Sequence, residues 1–167
     1  MEKIIFSTNT QKVLDFLIKA ERDWFERALI EKKTKVSKAG VNFALLELNK
    51  QNLIKKDSKG NVYFYQADFS SPLVKQLKVL QNIIEINNLV KKLQPASEKI
   101  VFFGSAGRGE NSPQSDIDLF VLTRSEELIK QLVNKSKLKN KIQLIIKTPI
   151  ELAALKTKDP YFFNSLL

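Results

Sequence analysis

Two aspartates separated by one residue, Asp116 and Asp118, are the side chains best suited to chemistry. They lead into the apolar run Leu119 to Leu122, which predicts a buried strand. Side chains alternate along a strand, so both carboxylates are expected on one face, with Ile117 on the other. Two adjacent carboxylates repel each other unless a cation lies between them, and Mg²⁺ (or Mn²⁺) takes such ligands together with substrate phosphates. Asp116 and Asp118 are therefore candidate metal ligands and catalytic residues.

A second apolar run, Ile100 to Phe103, ends at Gly104-Ser105 and a polar loop that contains Arg108. Glycine allows close approach of the backbone, its N–H groups can face an anion, and arginine offers a charged fork to phosphate. The pattern predicts a strand, then a phosphate-facing loop or short helix, then the second strand. Gly104, Ser105 and Arg108 are the candidate nucleotide-binding residues. The alternative is a strand–turn–strand unit in which the aspartates cap a turn and Arg108 is a solvated loop residue.

This arrangement, a Gly-Ser pair after one strand and Asp-x-Asp at the start of the next, resembles the nucleotidyltransferase superfamily of the DNA polymerase β type. Arg108-Gly109 and the segment Ser115 to Leu119 resemble its minimal nucleotidyltransferase branch, and the resemblance covers about Lys99 to Leu155. It implies a Mg²⁺-dependent enzyme that transfers a nucleoside monophosphate from a nucleoside triphosphate, ATP foremost, to a hydroxyl. Minimal members often act as antitoxins beside a small helical partner, so a hydroxyl on such a partner protein is one implied acceptor.

The sequence departs from this family at one position. A third carboxylate usually lies on the following strand, predicted here over Ile142 to Ile146, where the apparent equivalent is Gln143. An amide cannot act as a general base. Glu151 on the next element would replace it only if the chain folds back. The alternative function is therefore a DNA-binding transcriptional regulator whose second domain binds nucleotide with weak or no catalysis.

The N-terminal part shows apolar residues at helical spacing, then two short β-type runs around a polar turn. The predicted elements are helices over Val13 to Ile18, Trp24 to Ile30 and Ser37 to about Gln51, and strands over Leu53 to Lys56 and Val62 to Tyr65. This order resembles a winged helix-turn-helix domain, which implies binding to double-stranded DNA. Polar and basic residues near the third helix and the wing are the candidate DNA contacts: Lys35, Ser37, Lys38, Asn42 and Lys59. Protein contact or dimerisation through the same surface is the alternative.

Residues 71–95 carry apolar side chains at helical spacing and predict one long helix or two, packed on both domains or on a second copy of the chain. A further helix, a third strand, a short helix and an apolar tail follow Thr123. The predicted fold class is α+β. Its predicted domains are a winged helix-turn-helix over residues 1–70, a linker helix over 71–95, and a small mixed-sheet nucleotidyltransferase-type domain over 96–167.

Composition limits the available chemistry. The chain contains no cysteine and no histidine, which excludes disulfides, thiolate zinc sites and a Ser-His-Asp triad. The net charge of +10 is spread along the sequence, and it suits a nucleic acid, a nucleotide or an acidic partner as well as a lysine-rich genome bias. No long apolar run and no signal peptide are evident, so we expect a cytoplasmic protein with no membrane partner.

Overall fold

The computed structural model describes residues 5–20 and 23–165. The chain forms two compact units, Met1–Lys78 and Val79–Leu167. The boundary between the units falls within one continuous helix, Pro72–Leu93, so the apolar pattern after Ser71 forms one helix rather than two. The predicted domain limits at residues 70 and 95 stay predictions.

The first unit combines helices with a small antiparallel sheet. Its described elements are α1 (Asn9–Lys19), β1 (Phe25–Glu26), α2 (Arg27–Thr34), α3 (Lys38–Lys50), β2 (Ile54–Lys59), β3 (Val62–Ala67) and the start of α4 (Pro72–Leu93). The strand order is β1-β3-β2. The core is apolar and fully interior at Val13, Leu17, Ile30, Val41 and Val74. This arrangement is consistent with the predicted winged helix-turn-helix.

Local sequence signals explain most boundaries in this unit. Thr8 and Gln11 form a capping box at the start of α1, and Ser37 caps α3 by accepting a hydrogen bond from Gly40 N at 3.2 Å. Lys35 ends α2 in a left-handed conformation, with φ 57°. The hairpin turns at Gly60, whose φ of +60° is readily adopted by glycine.

The predicted start of the second helix, at Trp24, was wrong. It starts at Arg27, because Phe25 and Glu26 are extended and pair with Tyr65 and Phe64 of β3. The Phe25 ring packs edge-on against Phe16, with 5.0 Å between the ring centroids. This pairing and this contact with α1 outweigh the local helical pattern that starts at Trp24.

The second unit holds a three-stranded mixed sheet. After the rest of α4 and a 3₁₀ turn (Gln94–Ala96) come β4 (Lys99–Phe103), α5 (Gly104–Gly107), β5 (Ile117–Leu122), α6 (Glu126–Asn134), β6 (Ile142–Lys147), α7 (Pro149–Lys158) and α8 (Pro160–Ser165). The order is β4-β5-β6, with β4 antiparallel and β6 parallel to β5. The predicted α+β class with a mixed sheet in the C-terminal half is confirmed.

The central strand β5 is buried on both faces. Ile117, Leu119 and Val121 belong to one apolar cluster with residues of α4 and α6, among them Ile86 and Ile129. Phe120 and Leu122, on the opposite face, pack with residues of α7 and α8. Within the predicted apolar tail, Phe162 of α8 packs on the domain and meets Phe103 edge to face, at 5.7 Å between centroids, whereas Leu166 and Leu167 lie outside the described residues. Among the described helices, none is long and apolar enough to cross a membrane.

Candidate active site

Asp118 lies at the centre of the candidate site. It is the second residue of β5, in register with Phe103 of β4 and Gln143 of β6. Gly104 follows Phe103 directly and has a φ of +68°. A Cβ atom placed on Gly104 would lie 1.8 Å from Asp118 Oδ2, far inside van der Waals contact. Two features therefore require glycine at position 104: the positive φ of its backbone and the Asp118 carboxylate packed against it.

The electrostatics of the site disfavour the charge on Asp118. Burial raises its pKa, the charge of Asp116 raises it further, and Arg108 acts in the opposite direction. Asp116 is exposed and lies one residue before β5. The charge of Asp116 thus acts on the Asp118 carboxylate, and a divalent cation bound between the two would relieve this repulsion.

The Gly-Ser segment forms one helical turn, α5, followed by a tightly wound loop. Ser105 O accepts hydrogen bonds from Glu110 N at 2.9 Å and from Arg108 N at 3.2 Å. Arg108 is exposed, and its Nε donates to Glu110 Oε2 at 2.9 Å. The loop thus places the Ser105 and Arg108 side chains on the same short turn that contacts Asp118.

Gln143 occupies the position next to Asp118 on the neighbouring strand. Residues in register on adjacent parallel strands project to the same face, so the amide lies on the carboxylate's side of the sheet. In the part of the chain that the structure describes, no three Asp, Glu, His or Cys side chains cluster in a metal-binding arrangement. Carboxylate and amide oxygens both suit Mg²⁺. Two carboxylates and one amide fit a single divalent cation.

Glu151 does not stand in for the missing acid. Its Oε2 accepts from Thr148 N at 2.8 Å and from Thr148 Oγ1 at 2.9 Å in the capping box of α7. These hydrogen bonds, and then Lys147, lower its pKa. Lys147 pairs with Leu122, four residues along the parallel strands from the Asp118–Gln143 pair, which is about 13 Å. Glu151 therefore lies at the opposite end of the sheet, where it stabilises a helix terminus.

The candidate DNA contacts are all exposed on the first unit: Lys35, Ser37, Lys38, Asn42 and Lys59. The Ser37 hydroxyl is already engaged as the cap of α3. Lys59 Nζ lies 5.9 Å from the centroid of the Phe64 ring. Helix α3 also exposes two apolar side chains that the sequence interpretation assigned no role on the surface, Phe43 at 64% and Leu46 at 66%.

A cavity of about 370 Å³ lies elsewhere in the second unit, lined by residues that include Ile86, Phe102 and Leu119. The Phe102 and Leu119 side chains project to the face of the sheet opposite Asp118, because Phe102 alternates with Phe103 along β4 and Leu119 alternates with Asp118 along β5. The cavity is therefore separate from the candidate site.

Sequence reasoning missed Asn82 of α4. Its amide nitrogen donates to Ala106 O in α5 and to Asn111 Oδ1 in the loop that follows. The sequence signal was the position of Asn82, which lies on the helical face that continues through the apolar residues Ile86, Leu89 and Leu93. A polar residue on a buried face requires a hydrogen-bonding partner.

Comparison with known proteins gives one family match. Residues 83–164 match the family described as nucleotidyltransferase domain. No curated protein matches the chain. Among solved structures, the crystal structure of hypothetical protein PyrSV_gp04 from Pyrobaculum spherical virus is similar at 16% identity, over 85% of this chain and 77% of that chain, with a TM-score of 0.32. A similarity of this size supports no conclusion about fold or function.

Proposed function

We propose that the nucleotidyltransferase domain in the C-terminal half of this chain transfers a nucleoside monophosphate from a nucleoside triphosphate, ATP foremost, to a hydroxyl acceptor. One observation carries the proposal. Asp118, beside Asp116 and with a raised pKa, packs directly against Gly104 at the start of the Gly-Ser turn. The carboxylates proposed to bind metal therefore lie beside the turn proposed to bind phosphate.

The residues present fit a divalent cation, Mg²⁺ or Mn²⁺. Asp116 and Asp118 would hold it, with the Gln143 amide oxygen on the same face. When bound, such an ion neutralises charge that develops on the triphosphate and lowers the pKa of the attacking hydroxyl. The protein then contributes mainly the position of the triphosphate.

Arg108 and Ser105 are the proposed triphosphate contacts. The ion pair of Arg108 with Glu110 is exposed on both sides, with relative exposures of 63% and 42%. An exposed pair of this kind contributes about 0–1 kcal/mol. A triphosphate can therefore compete for the guanidinium, which binds phosphate oxygens through two parallel hydrogen bonds.

Because position 143 holds an amide rather than a carboxylate, we expect a low rate of nucleotidyl transfer. The amide cannot accept the proton of the attacking hydroxyl, and Glu151 is engaged at the far end of the sheet. The site therefore supports a slow transfer that depends on the cation rather than on a general base.

A transfer assay tests the proposed function and identifies the acceptor, for which a hydroxyl on a small helical partner protein is the first candidate. The purified chain is incubated with ATP labelled at the α-phosphate, Mg²⁺ and cell lysate. A labelled acceptor should form with the native protein and with Asp23→Ala, an exposed carboxylate in the other unit. It should be lost with Asp116→Ala/Asp118→Ala. Labelling that survives in the double variant contradicts the proposal.

A second proposed function is binding of double-stranded DNA by the first unit, as in a transcriptional regulator. The observation that favours it is the exposure of Lys35, Lys38, Asn42 and Lys59 around α3 and the β2–β3 hairpin. The exposed Phe43 and Leu46 on the same helix support the competing hypothesis, contact with a protein or a second copy of the chain. Salt dependence separates the two, because release of counterions accompanies contacts between lysine and phosphate.

A further inference from the structure

Asn82 is a buried polar residue of α4, as are Lys78 and Gln81 of the same helix. The relative exposure of Asn82 is 4%. Its Nδ2 atom lies 2.8 Å from Ala106 O and 2.8 Å from Asn111 Oδ1. An amide nitrogen carries two protons, so this geometry uses both of them. The side chain therefore joins one helix to two points of the same loop.

One of these contact points lies within the turn that carries the proposed triphosphate ligands, and the other lies in the loop that follows it. Ala106 lies between Ser105 and Gly107 in α5, and Asn111 follows Glu110, the ion-pair partner of Arg108. Within the loop, Gly109 N donates to Ala106 O at 3.3 Å, and Glu110 N donates to Ser105 O at 2.9 Å. Asn82 is thus the contribution of α4 to a turn that is otherwise closed by its own backbone.

The opposite side of this turn is held by a different contact. Gly104 packs against the Asp118 carboxylate, which fixes the beginning of the turn relative to β5. Gly104 and Asn82 thus each place the turn against a neighbouring element, Gly104 against β5 and Asn82 against α4. Asn82 itself lies one residue before the region that matches the nucleotidyltransferase family, which begins at residue 83.

We infer that Asn82 is a positioning residue that holds the loop Gly104 to Asn111 in the shape that presents Ser105 and Arg108 to a nucleoside triphosphate. This inference rests on the proposed function. Asn82 touches no reacting group; it acts through Ala106 and Asn111. Without these two hydrogen bonds, the loop would retain its internal contacts and the apolar packing of Ala106, but it would lose its polar contacts with α4.

The test uses Asn82→Asp, which keeps the shape of the side chain and replaces two donors by an acceptor. The matched control is Asn88→Asp, the same change at an exposed position of the same helix. Two quantities are measured in the full chain: hydrogen exchange of the backbone amides of residues 104–111, and the Kd of ATP with Mg²⁺. We expect Asn82→Asp to exchange about tenfold faster in this loop and to bind ATP about tenfold more weakly, the scale of one or two lost hydrogen bonds. Asn88→Asp should change neither.

A role in stability alone gives a different result. The variant would then have a lower Tm, but at a temperature where it is folded its ATP affinity and loop exchange would equal those of the native protein; that result overturns the inference. If Asn82→Asp does not fold, Asn111→Ala removes only the acceptor at the half-buried end of the loop. Loop hydrogen exchange and ATP affinity in Asn111→Ala equal to those of the native protein would also overturn the inference.

Failure of the proposed function is distinguishable from failure of this inference. If the native chain binds no nucleoside triphosphate in the presence of Mg²⁺, the transferase proposal fails, and with it the ligand that the loop is said to serve. Hydrogen exchange of residues 104–111 then still tests whether Asn82 positions the loop. Faster exchange in Asn82→Asp supports this role, and unchanged exchange overturns it.

Discussion

The carboxylate of Asp118 is less stable when charged in the folded protein than in the unfolded chain, because burial and Asp116 both raise its pKa. The folded state therefore binds a proton more readily, and folding stability decreases as pH rises from the ordinary pKa of 3.8 through the raised value. We expect Asp118→Asn to remove this decrease and to be more stable than the native protein near pH 7 without metal. Thermal unfolding followed by circular dichroism from about pH 4 to pH 8 measures it.

The same variant tests the metal site. Mg²⁺ should raise the Tm of the native protein, because it binds the folded state and relieves repulsion between Asp116 and Asp118. The increase should be smaller in Asp118→Asn, and in the native protein it should shrink as pH falls and protons compete for the carboxylate. An equal increase in both proteins would contradict the assignment of Asp118 as a ligand.

An acidic residue introduced at position 143 tests whether the lack of a third carboxylate limits the rate of transfer. Gln143 is in register with Asp118, so Gln143→Asp or Gln143→Glu places a third carboxylate on the same face. We expect either change to increase Mg²⁺-dependent transfer, since general-base catalysis typically contributes about 10²–10⁴-fold. The initial rate of label transfer from ATP is the measurement. Glu151→Gln is the control and should leave the rate unchanged, because Glu151 caps α7. A native protein that is already fast and is slowed by Gln143→Glu would contradict this prediction.

Helix α3 depends on its first residues for stability as well as for any contact with DNA. Ser37 Oγ accepts from Gly40 N, so Ser37→Ala leaves one backbone donor without its cap. We expect the free energy of unfolding to fall by about 1 kcal/mol, measured by urea denaturation. Asn42→Ala, exposed on the same helix, should change it by less than about 0.5 kcal/mol. Weaker DNA binding by Ser37→Ala would then have to be corrected for stability, whereas weaker binding by Asn42→Ala would not. Equal stability of Ser37→Ala and the native chain would show that the cap contributes nothing.

The chain as a whole carries a net charge of +10, to which the lysines of the proposed DNA interface contribute. Binding to a DNA duplex should weaken steeply as salt rises, because each lysine–phosphate contact releases counterions. Lys38→Ala or Lys59→Ala should reduce the binding free energy by about 1 kcal/mol, measured by fluorescence anisotropy at several salt concentrations. Lys156→Ala, exposed in the other unit, is the control. Binding that is indifferent to salt and to both substitutions would assign α3 and its exposed Phe43 and Leu46 to a protein contact instead.

The sequence alone was sufficient for features that depend on neighbours along the chain. The apolar runs at Ile100 to Phe103 and Leu119 to Leu122 predicted β4 and β5, Ser37 predicted the start of α3, and the Gly-Ser segment predicted a loop or a short helix between the strands. Periodicity, caps and turn residues act within a few positions, so these elements and the α+β class followed from local patterns.

Only the tertiary structure decided which residues meet at the site. Strand register places Gln143 beside Asp118 and sends Glu151 to the far end of the sheet. Packing brings the Asp118 carboxylate against Gly104, and Phe25 pairs with β3. The Asn82 amide lies within hydrogen-bonding distance of Ala106 and Asn111, which are 24 and 29 positions away in the sequence. Such contacts join residues far apart in the chain, and their energies depend on burial and hydrogen-bond geometry that no local pattern contains.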